Sequence, residues 1–324
     1  MAHLAARRAA ALADVTLALS MEAFAANPSV VDPVILAAKP VAGQIEAGRH
    51  IRDLLAGTGR ATGGPGGSVQ DPLSFRVGPQ VHGALRTFVE LLASQTELEL
   101  SASDDNPFVD IAGDRMVSNG NFHPLALALS ADALRPALAH VAQLSDRRMN
   151  HLFAGLLADP ARLMAPALMA GTSLAGLLMR YSAAARTAEL RGMAGPATLD
   201  VAPLDLGVED HATNAPLAVA QTARALAVLD DILAIELLTA RASLLAGDGR
   251  GKLGRGTAAA LEALEASLER VPPRAAADEL HAAARAGLPA ILAAADSAIA
   301  PRSRRSPRPD GGTRAGRATR PRPT

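Results

Sequence analysis

Apolar residues recur along most of this chain at helical spacing. Leu226, Leu229, Leu233 and Leu237 fall at i, i+3, i+7 and i+11, one stripe of a helix running from about Pro216 to Leu245. The same reading places helices over 4–26, 44–56, Pro79–Leu100, Pro124–His151, 172–191, 256–270 and 275–299. Pro79 stands in the first turn of its helix, where a missing N–H is harmless. Pro136 lies mid-helix and is expected to kink it. No segment alternates apolar and polar residues as a half-buried strand does. Long helices joined by short links predict an all-α bundle.

The breaks between these helices are polar. Gly57–Ser68 (GTGRATGGPGGS) holds six Gly and is expected to lie outside regular structure and to be mobile. VQDPLSFRVGPQVHG at 69–83 is Pro-broken and polar, and SDDNPF at 103–108, SNGNFH at 118–123 and VEDHATN at 208–214 share that character. Loops rich in charges and amides on a rigid helical frame are where function concentrates.

Composition sharpens the class. The 324 residues are 49 % apolar, mainly Ala, Leu and Val, and 20 % charged, enough to bury a substantial core. Six Phe, one Tyr (Tyr181) and no Trp argue against a sandwich, a propeller or a stacking RNA-binding sheet. The absence of Cys excludes disulfides, a thiol nucleophile and thiolate metal sites. The zero net charge is an average over unlike parts: Pro301–Thr324 carries eight Arg against Asp310, while residues 1–300 hold 24 basic and 31 acidic residues. The division is therefore a helical bundle over 1–300 and a disordered basic tail over 301–324. The tail reads as a solvated appendage rather than a nucleic-acid contact. Arg7 and Arg8 precede too short an apolar run for a signal peptide, and the uncharged stretch Leu163–Met179 falls short of a membrane span. A cytoplasmic protein with no membrane partner is expected.

Several candidates each carry two readings. Gly249, Gly251 and Gly254 satisfy G-x-G-x-x-G, but a helix precedes them where a dinucleotide fold needs a strand, so they read as a linker. His82 and His123 lack a metal-ligand spacing and read as hydrogen-bonded structural residues. Arg76, beside Gln70, Asp71 and Ser74, either clamps a substrate carboxylate or pairs with Asp71. Glu209, Asp210 and His211 either supply a base or form a charge cluster ahead of a helix.

Gln70-Asp71-Pro72-Leu73-Ser74-Phe75-Arg76, followed by Pro79-Gln80-Val81-His82-Gly83, resembles the Q-D-x-Y-S-x-R…P-Q-V-H-G segment of the aromatic amino acid ammonia-lyases. Asp105-Asn106-Pro107 is similar to that family's D-N-P turn, and Asn121-Phe122-His123 to its G-G-N-F-H segment. Ser145-Asp146-Arg147-Arg148 resembles its S-E-R-R helix end and Glu209-Asp210-His211 its E-D-H motif. The resemblance, in family order over roughly residues 10–245, implies a long-helix bundle assembled as a homotetramer, with each active site built by several subunits. It implies removal of ammonia from an amino acid to leave an α,β-unsaturated acid. By position Arg76 would bind the substrate carboxylate, Gln70 would help place the substrate, Phe122 would pack near the electrophile and Glu209 would contact the side chain or amine. Glutamate at 209, with His211 and the N-F-H form, is more like the histidine lyases than the phenylalanine ones.

The family's electrophile is a methylidene-imidazolone made from an internal Ala-Ser-Gly. Here Ala-Ser occurs four times, at 93–94, 102–103, 242–243 and 266–267, and is never followed by Gly. The resemblance thus implies that the family's N-terminal part, with the electrophile and a catalytic Tyr loop, is not in this chain. Leu73 stands where the family has a Tyr with an acid–base role, and leucine has no proton to exchange. Val208 replaces a usual amide and Asn119 a glycine, while Tyr181 matches no catalytic position. Without covalent activation the amino group is a poor leaving group and the β-proton is far from acidic. Positioning by the remaining groups cannot make up that barrier. The expectation is a chain inactive alone, complemented by a separate N-terminal half, or a non-catalytic scaffold of the same family.

Overall fold

The Leu226–Leu237 stripe lies in a helix that is apolar on nearly every side, and such a helix belongs at the centre of a bundle. In the computed structural model, which describes residues 1–60, 70–171, 178–199, 202–247, 251–272 and 275–300, all four leucines are buried. Twelve α-helices are described: α1 Ala2–Phe24, α2 Pro33–Ala38, α3 Ala42–Leu54, α4 Leu73–Arg76, α5 Gly78–Ser101, α6 Leu125–Leu157, α7 Pro160–Leu163, α8 Pro166–Gly171, α9 Met179–Gly192, α10 Ala215–Ala246, α11 Arg255–Leu268 and α12 Ala277–Ile299. The all-α expectation holds.

Packing follows from which residues are small. α10 lies against α6, α1 and α9; α5 bridges α6 and α3; α11 and α12 pair with each other at the C-terminal end. Ala and Leu supply most of the buried residues of α1 and α10, which pack against each other. At the α3–α5 crossing Gly43 and Gly83 meet: a Cβ on Gly83 would collide with the backbone N of Gln44. α6 continues through Pro136 as one helix of 33 residues, longer than its sequence pattern suggested. α6 and α12 are long and apolar enough to cross a membrane, yet both pack in the bundle, and α6 carries the buried Arg135 and Arg148.

Three local features differ from expectation. A hairpin pairs β1 Phe108–Asp110 with β2 Arg115–Val117, antiparallel, with Val109 opposite Met116. It is too short to show alternation, and its pattern escaped notice for that reason. The polar stretch after Gln70 contains a helical turn, α4, and Pro33 opens the short α2 behind Asp32, whose side chain caps Val34 N–H. Most of the Gly57–Ser68 loop, the start of the expected 172–191 helix, Gly249 of the glycine motif and the 301–324 tail lie outside the described residues. Gly254 serves as the N-cap of α11 and donates its N–H to Glu22 Oε1 at 2.8 Å.

Candidate functional site

Gln70, Asp71, Leu73 and Arg76 come together along one cleft of about 430 Å³, a volume within the usual range of ligand pockets. The other wall is Asn27, Ser29, Val30 and Ile35, from the connection between α1 and α2, and Val77 and Gln80 complete it. Asp71 fixes the two walls together, since its buried carboxylate accepts the Asn27 N–H at 2.6 Å. Among the described residues Arg76 makes no ion pair with Asp71, and its Nε is shielded from water without a hydrogen-bond partner. Leu73 lines the same cleft and is 59 % exposed.

The bundle holds α4 in place through a buried ion pair. Arg148, at the end of the S-D-R-R segment on α6, donates to both oxygens of Glu236 on α10, Nε to Oε1 at 2.6 Å and Nη2 to Oε2 at 2.9 Å. Its Nη1 donates to the Ser74 carbonyl at 3.1 Å, and Ser20 Oγ donates to Glu236 Oε1 at 2.7 Å. All four are buried, so these bonds form in a medium where loss of a partner is costly. Phe75 of α4 stacks on Phe24 of α1 with ring centroids 4.5 Å apart.

His82 turns away from the cleft. Its Nδ1 lies 2.7 Å from Asp14 Oδ1 in the core, and Asp14 Oδ2 receives His50 Nδ1 at 2.9 Å and Arg86 Nη2 at 2.6 Å. Burial opposes ionisation of Asp14, but Arg86, His50 and His82 outweigh it and hold the carboxyl well below the usual carboxylate range. Burial also lowers His82, whereas for His50 the bonds to Asp14 and Asp296 overcome burial and raise it. The structural reading of His82 is therefore the correct one, and among the described residues no three acidic or imidazole groups converge on a metal site.

Phe122 and Glu209 do not line the cleft. Both are exposed on loops that meet each other: His123 Nε2 lies 2.7 Å from His211 Nδ1. Phe122 stands edge-on to the His123 ring. The Glu209 backbone pairs with Leu204 in an isolated bridge, several residues before α10 begins at Ala215. α10 itself has no acid in its first turn, so Glu209–His211 stand ahead of the helix rather than in it. Asn119 ties the D-N-P turn to the N-F-H segment: its N–H donates to Asn106 Oδ1, its Nδ2 to the Asp105 carbonyl, and its Oδ1 accepts Asn121 N–H. Gln80, Asn27 and Ile35 were not foreseen as site residues.

The motif-bearing bundle can now be set beside known proteins. The family model described as "Aromatic amino acid lyase" matches residues 1–266. The chain belongs to the aromatic amino acid lyase family. The histidine ammonia-lyase of Anaeromyxobacter dehalogenans is 36 % identical over 247 residues, 75 % of this chain and 48 % of that one. That of Symbiobacterium thermophilum is 35 % identical over 296 residues, 89 % of this chain and 56 % of that one. The crystal structure of histidine ammonia-lyase from Trypanosoma cruzi superposes with a TM-score of 0.76 at 25 % identity, covering 93 % of this chain and 56 % of that one. Tyrosine aminomutase from Streptomyces globisporus gives 0.77 at 25 % identity, covering 91 % and 60 %. This lyase-family chain spans about half the length of the curated relatives it matches.

The residues of this lyase-family chain do not fit the family's internal electrophile. Ala93-Ser94, Ala242-Ser243 and Ala266-Ser267 lie inside helices, and Ala102-Ser103 is followed by Asp104. None is followed by Gly. The cleft does bring together a cation, amides and apolar side chains.

Proposed function

We propose that this chain supplies the helical bundle and the carboxylate-binding cleft of a histidine-type ammonia-lyase. Complemented by a polypeptide carrying Ala-Ser-Gly, it takes part in eliminating ammonia from an amino acid to give an α,β-unsaturated acid; alone it is inactive. The observation that carries this reading is Arg76, a guanidinium without an ion-pair partner among the described residues, placed with Gln70 in one cleft. Its planar fork suits a carboxylate held by two parallel hydrogen bonds. Phe122 and Glu209 sit on separate exposed loops, which accords with a homotetramer in which neighbouring subunits complete each site.

Leu73 favours a second reading, a non-catalytic scaffold that keeps the bundle and a residual pocket. It lines the cleft where the resemblance places a phenol, and it can move no proton. Co-expression separates the two. The chain is produced with the Ala-Ser-Gly-bearing N-terminal part of a histidine ammonia-lyase, and urocanate is followed by its absorbance. Urocanate from the pair and none from the chain alone supports the lyase reading. No urocanate from a pair whose partner has lost two waters by intact mass supports the scaffold. Urocanate from the chain alone refutes its dependence on a partner.

A further inference from the structure

The motif Pro79-Gln80-Val81-His82-Gly83 opens α5, and four of its five residues have a structural task. Pro79 occupies the first turn, Val81 packs on the core, His82 bonds to Asp14, and Gly83 admits the backbone of α3. Gln80 has no such task. It lines the cleft, and its Oε1 is shielded from water and lacks a hydrogen-bond partner among the described residues. A polar atom in that state destabilises the fold unless something else meets it, so it calls for an explanation.

Helical phase supplies the geometry. Leu73, Arg76, Val77 and Gln80 fall at i, i+3, i+4 and i+7, and all four line the cleft. α4 runs almost directly into α5: Val77 N–H reaches the Leu73 carbonyl at 2.9 Å and Val81 N–H the Val77 carbonyl at 3.0 Å. Gln80 therefore stands about one turn beyond Arg76 on the same wall, a rise of about 6 Å over four residues. Arg76 and Gln80 thus give that wall a donor and an acceptor. Leu73, Val77, Val30 and Ile35 supply apolar surface beside them.

We propose that Gln80 recognises the α-amino group of the substrate. Arg76 holds the carboxylate, and the Gln80 carboxamide oxygen accepts a hydrogen bond from the ammonium one carbon away. This rests on the assignment of the carboxylate to Arg76 made above. The cleft then distinguishes an amino acid from the corresponding acid without nitrogen. Loss of ammonia removes the group that Gln80 holds, so the unsaturated acid keeps one anchor of two and leaves more readily.

The test is calorimetric titration of the full 324-residue chain with L-histidine and with imidazolepropionate, its counterpart lacking the amine. The wild-type chain is expected to bind L-histidine about ten-fold or more tightly. Gln80→Leu should abolish that preference while leaving imidazolepropionate affinity within about two-fold. Gln80→Glu, which keeps an acceptor, should retain the preference, and Arg76→Gln should weaken both ligands. Circular dichroism checks that each variant keeps its helices, and Gln80→Met replaces Gln80→Leu if the latter does not fold. Equal weakening of both ligands by Gln80→Leu, or an intact preference, overturns the role of Gln80 while leaving Arg76 as the carboxylate site. Failure of the wild-type chain to bind either ligand overturns both assignments.

Discussion

Replacing Arg148 by Met tests the link between the bundle and the cleft. Arg148 and Glu236 are both fully buried and share two hydrogen bonds, at 2.6 and 2.9 Å. The substitution keeps much of the apolar stem but strands the Glu236 carboxylate with Ser20 as its remaining partner, and it releases the Ser74 carbonyl of α4. Breaking one side of a buried ion pair costs about 3–5 kcal/mol, most of it the penalty of an uncompensated charge. Neither group touches water, so solvent screening does not reduce that figure. Urea unfolding followed by circular dichroism should show a loss of this size. Replacing both residues, Arg148→Met with Glu236→Leu, should recover a large part of it, because no unpaired charge remains. The single variant should also lose affinity for L-histidine, since α4 carries Arg76. A single variant within about 1 kcal/mol of wild type, or a double variant less stable than the single, would refute the reasoning.

Other outcomes follow from the same contacts. Gly83→Ala should destabilise by about 1–3 kcal/mol through overpacking at the α3–α5 crossing, measured by denaturant midpoint. Asp132→Ala should loosen residues 193–198 and speed trypsin cleavage at Arg191, because Asp132 Oδ2 accepts Ala197 N–H, Thr198 N–H and Thr198 Oγ1. The depressed Asp14 carboxyl stabilises fully above the unfolded value of about 3.9 and loses that contribution as pH falls below it. The stability gap between wild type and Asp14→Asn should accordingly narrow in acid. His50 has the opposite sign: its raised value stabilises below about 6.5 and is lost as pH rises through the folded value, so the gap to His50→Gln should narrow in alkali. A gap independent of pH in either series would contradict the assignments.

The sequence by itself determined the class, the long helices and the chemistry of the loops. Helical periodicity is local, so α1, α5, α10 and α12 could be placed within a few residues from the spacing of Ala and Leu. The family motifs were legible for the same reason, each being a short run. The hairpin was missed because three residues per strand carry no period.

What each motif residue does was decided by the tertiary structure. Gln80 and His82 are two positions apart, yet one lines the cleft and the other bonds to Asp14 in the core. Residues 27–35 face residues 70–80 across the cleft through a bond from Asn27 to Asp71 that no spacing announces. The pairing of Arg148 with Glu236 joins groups 88 positions apart. Burial and desolvation are set by neighbours distant in sequence, and those two quantities separate Arg148, which holds the frame, from Arg76, which lines the cleft.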